Sequence, residues 1–143
     1  DATAHYRKTR AKLDELAVPS RGKAPIHPQY LARLLDEAAA EDAVFTADVG
    51  SPTVWAARYL HMNGKRRLIG SFNTAPWRTP AARHRRSGVG AGRQVIALAG
   101  DGGLTMMLGE LVSLTQNRLP VKTIVVNNSS LNFVELEMKP PDS

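Results

Sequence analysis

Largely apolar runs alternate along this chain with stretches in which apolar residues recur every three to four positions. The runs are "AVFTADV", "RRLIGSF", "QVIALA" and "VKTIVV". Apolar runs without strict alternation are typical of strands buried on both faces, which occur mainly in parallel sheets. The pattern therefore predicts an α/β fold, a doubly wound parallel sheet with helices on both faces, and we expect that sheet to be incomplete at its C-terminus.

The stretches between the runs predict helices. Pro28 is suited to the first turn of one helix, and Ser51 can cap another with Pro52 at its first position. A third helix is predicted for "LTMMLGELVSLTQN", whose apolar side is formed by Leu104, Met107, Leu108, Leu111 and Leu114. Met106 and Met107 are expected to fill the core.

The first part of the chain has a different character from the rest. Residues 1–23 are mostly polar and lead into the proline-rich, basic "PSRGKAPIHP" (19–28), which favours an interdomain linker. We therefore divide the chain into a linker, 1–23, and one domain, 24–143. The chain begins with Asp1 rather than methionine, and "KPPDS" follows a helical pattern without a closing element. We interpret it as a piece of a longer protein.

Composition excludes several classes of function. The 143 residues include no cysteine, which excludes disulfides and Cys-ligated metals. No apolar run approaches the roughly 20 residues of a membrane span, and the N-terminus lacks the apolar segment of a signal peptide. The formal net charge is +6, and much of it comes from Arg78, Arg83, Arg85 and Arg86. This cluster leaves open a basic nucleic-acid-binding module, which a salt-dependent DNA-binding assay would identify.

Polar loops follow two of the predicted strands. "GDGG" (Gly100–Gly103) comes directly after "QVIALA", and "NNSS" (127–130) follows "VKTIVV". In a doubly wound sheet both loops lie at the carboxyl edge, where ligands bind. The carboxylate of Asp101, the amide oxygen of Asn128 and a carbonyl just beyond it suit a hard cation such as Mg²⁺. The two glycines after Asp101 leave room for a phosphate, and the helix that opens near Leu104 offers free N–H groups.

Each of these loops alone is typical of an ordinary turn. Their combination, with each loop ending a buried strand and one helix between them, favours a metal–diphosphate site over turn chemistry alone. The four histidines show no spacing typical of metal ligands, and we assign none of them a role.

The motif "GDG", followed by "NN" after 24 intervening residues, resembles the thiamine-diphosphate-binding motif of thiamine-dependent enzymes. The segments "IHPQYLARLLDEAAAEDAVFTADVGSPTVWAARYLHMNGKRRLIGSFN" and "GDGGLTMMLGELVSLTQNRLPVKTIVVNNSSLNFVELEMK" are similar to the pyruvate:quinone oxidoreductase (pyruvate oxidase) branch, and the resemblance covers most of residues 5–139. That family has a pyrimidine-binding, a flavin-binding and a diphosphate-binding domain in this order. The resemblance implies that residues 1–23 leave a missing flavin-binding domain and that 24–143 form the first part of the thiamine-diphosphate- and Mg²⁺-binding domain.

Transferred residue by residue, the resemblance implies a metal site and a cofactor site. Asp101 and Asn128 would bind Mg²⁺ through their side chains, and Ser130 through its main-chain carbonyl. The cofactor would be held by Gly100, Asp101, Gly102, Gly103, Asn128, Ser129, Ser130, Leu131, Asn132 and Phe133. The loop Asp48–Pro52 would lie near the cofactor's pyrimidine. The glutamate that activates the aminopyrimidine would come from the missing N-terminal domain, so no catalytic residue is assigned in this chain.

The resemblance implies oxidative decarboxylation of pyruvate to acetate and CO₂ in the whole enzyme, with thiamine diphosphate, Mg²⁺ and FAD as cofactors and quinone as electron acceptor. It also implies a cytoplasmic homotetramer that reaches the inner face of the membrane only through a missing C-terminal segment, without a nucleic-acid partner. We expect the isolated chain to be inactive and to bind thiamine diphosphate only weakly. The alternative is an acetolactate-synthase-like enzyme, which should differ around "SPTVWAARYL" and "FVELEMK".

The segment "NTAPWRTPAARHRRSGVGAG" fits neither the periodicity nor the resemblance. Here the family typically continues with His-Gly-Ser-Met-Ala-Asn-Ala, whose Gly-Ser-Met part contacts the cofactor. Written as CAC GGC TCC ATG GCG AAC GCC and read one base late, that peptide becomes Thr-Ala-Pro-Trp-Arg-Thr-Pro, which is residues 74–80. We interpret 74–91 as a segment translated in a shifted reading frame, with the frame restored before Arg93. The alternative is a basic surface loop, but long structureless loops are uncommon within compact domains.

Overall fold

The computed structural model describes residues 1–20, 25–70, 92–106, 108–131, 134–135 and 138–139. The elements, in chain order, are α1 (Ala2–Leu16), α2 (Pro28–Ala38), β1 (Val44–Ala47), α3 (Ser51–Tyr59), β2 (Arg67–Gly70), β3 (Val95–Gly100), α4 (Asp101–Met106), α5 (Gly109–Gln116) and β4 (Val121–Val126). The segment 74–91 with its arginine cluster, and Met107, lie outside the described residues. Among the helices of the described ranges, none has the length and apolar character needed to cross a membrane.

Within the described residues, four strands form a parallel sheet in the order β2-β1-β3-β4. β1 is hydrogen-bonded to β2 on one side, with Val44 opposite Arg67, and to β3 on the other, with Val44 opposite Val95. β3 pairs in turn with β4, with Val95 opposite Val121. The predicted α/β class is thus confirmed as a four-stranded parallel sheet with flanking helices.

The core of the sheet lies in its two inner strands. Every residue of β1 is buried, and so are the first five residues of β3, each at 3% exposure or less. The chain leaves β1 toward β2 on one side and β3 toward β4 on the other. This change of direction makes the gap between the carboxyl ends of β1 and β3 a topological switch point, where open α/β sheets bind their ligands.

At their amino ends, β1, β2 and β3 are linked through one arginine, Arg93. Arg93 Nε donates to the carbonyl of Asp42 at 2.6 Å, and a terminal guanidinium nitrogen donates to the carbonyl of Lys65 at 2.6 Å. The side-chain oxygen of Gln94 accepts a bond from the backbone N–H of Ala40 at 2.8 Å. These bonds hold the segments that lead into β1, β2 and β3 together, at the edge opposite the switch point.

The helix boundaries differ from the sequence prediction in two places. α3 includes Ser51, which was predicted to cap this helix with Pro52 as its first residue. α2 begins at Pro28 as predicted, but "LTMMLGELVSLTQN" is divided between α4 and α5, and α4 already begins at Asp101. Glycine lowers helix stability by about 1 kcal/mol relative to alanine, so Gly109, where α5 starts, favours an interruption. Met106 is 61% exposed and Leu108 is 53% exposed. The expectation that Met106 fills the core is therefore wrong.

The chain divides into two units, residues 1–39 with 55–61 and residues 40–54 with 62–143. In the first unit, a small buried core is formed by Ala17, Ala32 and Tyr59, with Leu13 and Trp55 packed against it. The Tyr59 hydroxyl donates to the carbonyl of Leu13 at 3.1 Å. Much of the predicted linker is thus helical and contributes to this unit, whereas the proposed domain boundary stays a prediction.

Candidate metal and diphosphate site

An open cleft lies outside the carboxyl ends of β1, β3 and β4. It holds about 410 Å³ of empty space, part of it continuous with solvent. Its lining comes from the ends of these strands and the loops after them: Asp48–Pro52, Gly100–Gly103, Val126, Asn128, Ser130 and Leu131. The cleft therefore lies at the switch point of the sheet.

Most of the residues assigned from the sequence line this cleft. Asp101 and Asn128, the two predicted side-chain ligands, both do, and so does Ser130. Ser129 is not among the lining residues, and 132–133 lie outside the described residues; this range contains the predicted Asn132 and Phe133. The fold brings the proposed metal ligands to one place, and their binding of a metal stays a prediction.

Asp101 is the first residue of α4 and is partly exposed. Its Oδ1 accepts a hydrogen bond from the backbone N–H of Gly102 at 3.0 Å. A carboxylate has about four lone-pair sites, so this one bond leaves capacity for a cation. Because the helix begins at Asp101 and not near Leu104, Gly102 and Gly103 belong to its first turn.

The loop after β4 is shaped by its own asparagines. Asn127 Oδ1 accepts the N–H of Ser129 at 2.8 Å, and Asn128 Oδ1 accepts the N–H of Ser130 at 3.2 Å. Such side-chain bonds to the backbone two residues on are Asx turns. Ser129 has a φ of +54°, in the left-handed region that few non-glycine residues adopt. The two successive turns hold Asn128 and Ser130 where both line the cleft.

The buried acidic group of the cleft is Asp48, which follows β1 directly and is 1% exposed. Its Oδ1 accepts the N–H of Val49 at 2.9 Å, while its Oδ2 is buried without a hydrogen-bond partner in the described part of the chain. Burial raises the pKa of Asp48, and the backbone N–H groups of Val49 and Gly100 oppose that rise. The sequence indicated only the surrounding loop, because no local pattern reveals that an acidic residue is buried.

Gly103 is required by this same carboxyl group. Gly103 is buried, and a Cβ placed on it would lie 1.6 Å from Oδ2 and 2.7 Å from Cγ of Asp48. Any side chain at position 103 would have to displace the Asp48 carboxyl group. The glycine pair was predicted to leave room for a phosphate; at position 103 the space where a side chain would lie is occupied by the protein's own carboxyl group.

The residues present fit a hard cation and a diphosphate. Carboxylate, amide and main-chain carbonyl oxygens are the ligands that Mg²⁺ prefers, and Asp101, Asn128 and Ser130 offer them around one cleft. The described residues contain no group of three or more His, Cys, Asp or Glu side chains suited to a metal. The two glycines after Asp101 keep side chains away from the backbone N–H groups, which a phosphate contacts in many anion sites.

The stability of the protein should depend on the ionisation of Asp48. Because folding raises its pKa above the usual value of 3.8, the folded protein retains a proton that the unfolded chain releases above this pH. Stability therefore falls as the pH rises from 3.8 through the raised pKa. Asp48→Asn cannot ionise, so its free energy of unfolding should increase relative to wild type over the same interval.

Urea denaturation at a series of pH values measures this dependence. The matched control is Asp14→Asn, which neutralises a carboxyl whose side chain is 57% exposed. If the free energy of unfolding had the same pH dependence in Asp48→Asn and in wild type, Asp48 would not have the pKa raised by burial.

His61, to which we assigned no role from the sequence, makes specific contacts in the first unit. His61 Nδ1 lies 2.6 Å from Asp36 Oδ2, and a guanidinium nitrogen of Arg10 lies 2.8 Å from His61 Nε2. These contacts join α1, α2 and the residues after α3, and they indicate a structural role for His61 in that unit.

Residues 48–143 match the model of the family "Thiamine pyrophosphate enzyme, C-terminal TPP binding domain". The chain is 34% identical over 120 residues to the thiamine pyrophosphate-containing protein YdaP of Bacillus subtilis (strain 168), covering 80% of the chain and 20% of YdaP. It is 33% identical over 125 residues to the acetolactate synthase large subunit IlvB1 of Mycobacterium tuberculosis (strain CDC 1551 / Oshkosh), covering 86% and 20%, respectively. The chain thus spans about one fifth of the length of these curated relatives.

Solved structures share the fold at lower identity. A thiamine diphosphate-dependent 4-hydroxybenzoylformate decarboxylase of Rhodococcus jostii RHA1 superposes with a TM-score of 0.56 at 20% identity, covering 87% of this chain and 25% of that one. A thiamin diphosphate-dependent enzyme of Mycobacterium smegmatis gives a TM-score of 0.57 at 19% identity, covering 78% and 23%. At these identities the likeness concerns the fold alone.

Proposed function

Since the chain belongs to the thiamine pyrophosphate enzymes through their C-terminal TPP-binding domain, we propose that its cleft binds the diphosphate of thiamine diphosphate together with Mg²⁺. The observation that carries this proposal is the convergence of Asp101, Asn128 and Ser130 on one cleft at the switch point of the sheet. Asp101 and Asn128 would hold the metal through side-chain oxygens, and Ser130 through its carbonyl. Gly102 and Gly103 would admit the diphosphate to the main chain.

The charges of the cleft support this assignment. A diphosphate brings negative charge to a place that already contains the carboxyl groups of Asp48 and Asp101. A divalent cation compensates the charge of Asp101. The raised pKa of Asp48 favours its neutral form, which lowers its repulsion of an anion. Bound thiamine diphosphate would supply the chemistry that cleaves a bond next to a carbonyl group, while the chain binds and orients it.

For the whole protein that carries this segment, we propose oxidative decarboxylation of pyruvate to acetate and CO₂, with electrons passing through FAD to quinone. The support is the similarity of "SPTVWAARYL" and "FVELEMK" to the pyruvate oxidase branch. We further propose a cytoplasmic homotetramer in which the remaining domains supply the catalytic glutamate, the flavin contacts and any membrane-binding segment. The domain division at residue 24 and the frame-shifted segment 74–91 belong to the same proposal.

Acetolactate synthesis is the second candidate function for the whole protein. It is favoured by the relatives, because the M. tuberculosis protein of 33% identity is an acetolactate synthase. The two candidates share the metal and diphosphate site and differ in product. Incubation of the whole protein with pyruvate separates them: quinone reduction with acetate formation supports the first, and acetolactate formation without quinone reduction supports the second.

Binding by the chain itself is tested by ¹H–¹⁵N NMR titration with thiamine diphosphate in the presence of MgCl₂ or EDTA. We expect shifts at the amides of Gly102, Gly103 and Asn128 only with Mg²⁺. We expect weak binding, with a dissociation constant of about 1 mM, because the pyrimidine end lacks its partner domain. Thiamine without phosphates is the control ligand. Equal shifts with thiamine, or shifts that persist in EDTA, would show that the cleft is not a metal–diphosphate site.

A further inference from the structure

The two loops that border the cleft at β1 and β3 meet at a single carboxyl group. Asp48 ends β1, and its backbone N–H donates to the carbonyl of Leu98 in β3 at 2.9 Å. Its side chain accepts the N–H of Val49 on its own loop, and its Oδ2 lies against Gly103 on the other. Thr53 Oγ1 donates to the Asp48 carbonyl. Both the backbone and the side chain of Asp48 are therefore fixed.

The fixed carboxyl group determines where the first turn of α4 can lie. Oδ2 occupies the volume that a side chain at Gly103 would need, as the distance of 1.6 Å to a Cβ there shows. By contrast, a Cβ on Gly100 would lie 4.0 Å from the same oxygen, an ordinary contact. The close approach is thus specific to position 103. Asp101, the proposed metal ligand, belongs to the same turn of helix as Gly103.

We propose that Asp48 is a positioning residue of the metal–diphosphate site, which holds the first turn of α4, and with it Asp101, at a set distance from the loop after β1. The proposal deepens the proposed function and rests on it. Asp48 touches neither the metal nor the diphosphate in this role; it sets the backbone that binds them. Gly103 is its obligate partner, because only glycine lets the helix approach the carboxyl group.

Thermal unfolding of single and double variants tests the contact without any ligand. Gly103→Ala should lower the melting temperature by about 10 °C. Overpacking by one buried methyl group costs about 1–3 kcal/mol, and each kcal/mol lowers the melting temperature by several degrees. Asp48→Ala removes the three atoms that would lie nearest to the new Cβ, Cγ and the two carboxyl oxygens of Asp48. The double variant should therefore melt at a higher temperature than Gly103→Ala alone. Gly100→Ala is the control and should melt near wild type. Additive losses in the double variant would overturn the proposal.

Paramagnetic broadening tests positioning, using MnCl₂ with thiamine diphosphate as the probe. The concentration that half-broadens the Gly102 amide should rise about tenfold in Asp48→Ala. It should stay near the wild-type value in Asp48→Asn, which keeps the shape of the side chain. Val44→Ala, a buried truncation in β1 outside the cleft lining, controls for lost stability and should leave the concentration unchanged.

The outcomes of the two experiments separate this proposal from the proposed function. Rescue of Gly103→Ala together with weakened binding in Asp48→Ala supports the positioning role. Rescue with unchanged binding in Asp48→Ala would reduce Asp48 to a packing residue and overturn it. If Mn²⁺ broadens no amide of the wild-type cleft, the proposed function fails and the positioning role fails with it, whatever the unfolding data show.

Discussion

Phe45→Ala is expected to lower the free energy of unfolding by about 3–5 kcal/mol, the usual cost of truncating a fully buried phenylalanine. Phe45 is 0% exposed and lies in β1, opposite Leu68 of β2 and Ile96 of β3. The Arg66 guanidinium also lies over its ring, 5.8 Å from the centroid. Urea denaturation followed by circular dichroism measures the loss.

The control for this variant is Tyr6→Ala, which truncates an aromatic side chain that is 60% exposed on α1. Exposed substitutions of this kind change stability by about 0.5 kcal/mol or less. If Phe45→Ala and Tyr6→Ala had equal effects, β1 would not be the centre of the folded core.

Asp101→Ala is expected to abolish the Mg²⁺-dependent response to thiamine diphosphate, or to weaken it by at least about tenfold. Asp101 supplies the carboxylate among the three proposed ligands. The amide and carbonyl oxygens that remain are neutral and compete poorly with water for Mg²⁺, which gives up its hydration shell reluctantly. The measurement is the NMR titration in MgCl₂, read at the Gly102 amide.

Asp14→Ala makes the same change of charge on α1, outside the cleft lining, and should leave the titration unaltered. A comparable loss in both variants would mean that net charge, and not coordination by Asp101, governs the binding of the diphosphate. An unaltered titration in Asp101→Ala would exclude Asp101 as a metal ligand.

The strands were predictable because local signals bound them. β4 spans the predicted residues, since Pro120 precedes it and Asn127 and Asn128, which favour turns, follow it. The placing of Asp101 and Asn128 beside one cleft was also predictable, because parallel strands bring their carboxyl ends to one edge. The helical region after β3 was less predictable. Its apolar periodicity continues across Gly109, whereas α4 ends at Met106 and α5 begins at Gly109.

The contact between Asp48 and Gly103 could not be predicted from the sequence. Glycines after a strand are expected wherever a phosphate approaches the backbone. Phosphate binding therefore explained both glycines after Asp101 in "GDGG", and nothing in the motif indicated a second reason for Gly103. The carboxyl group that requires Gly103 belongs to Asp48, in the loop after β1, whereas Gly103 follows β3. The burial of this carboxyl group depends on how the two loops pack together. The exposure of Met106 likewise depends on where α4 lies, which periodicity does not determine.

The strand order has a consequence for how the protein folds. Val44 pairs with Arg67 on one side and with Val95 on the other, while Val95 pairs with Val121. The β1–β3 pairing therefore closes a loop about twice as long as the other two, and each doubling of loop length adds about 0.6 kcal/mol of entropy cost. Because non-local pairings slow folding, we expect the β1–β3 pairing to form last. The cleft lies at the carboxyl ends of this pair of strands, so it forms only when β1 and β3 pair. Ligand binding would therefore follow the last step of sheet assembly and would not accelerate the earlier steps.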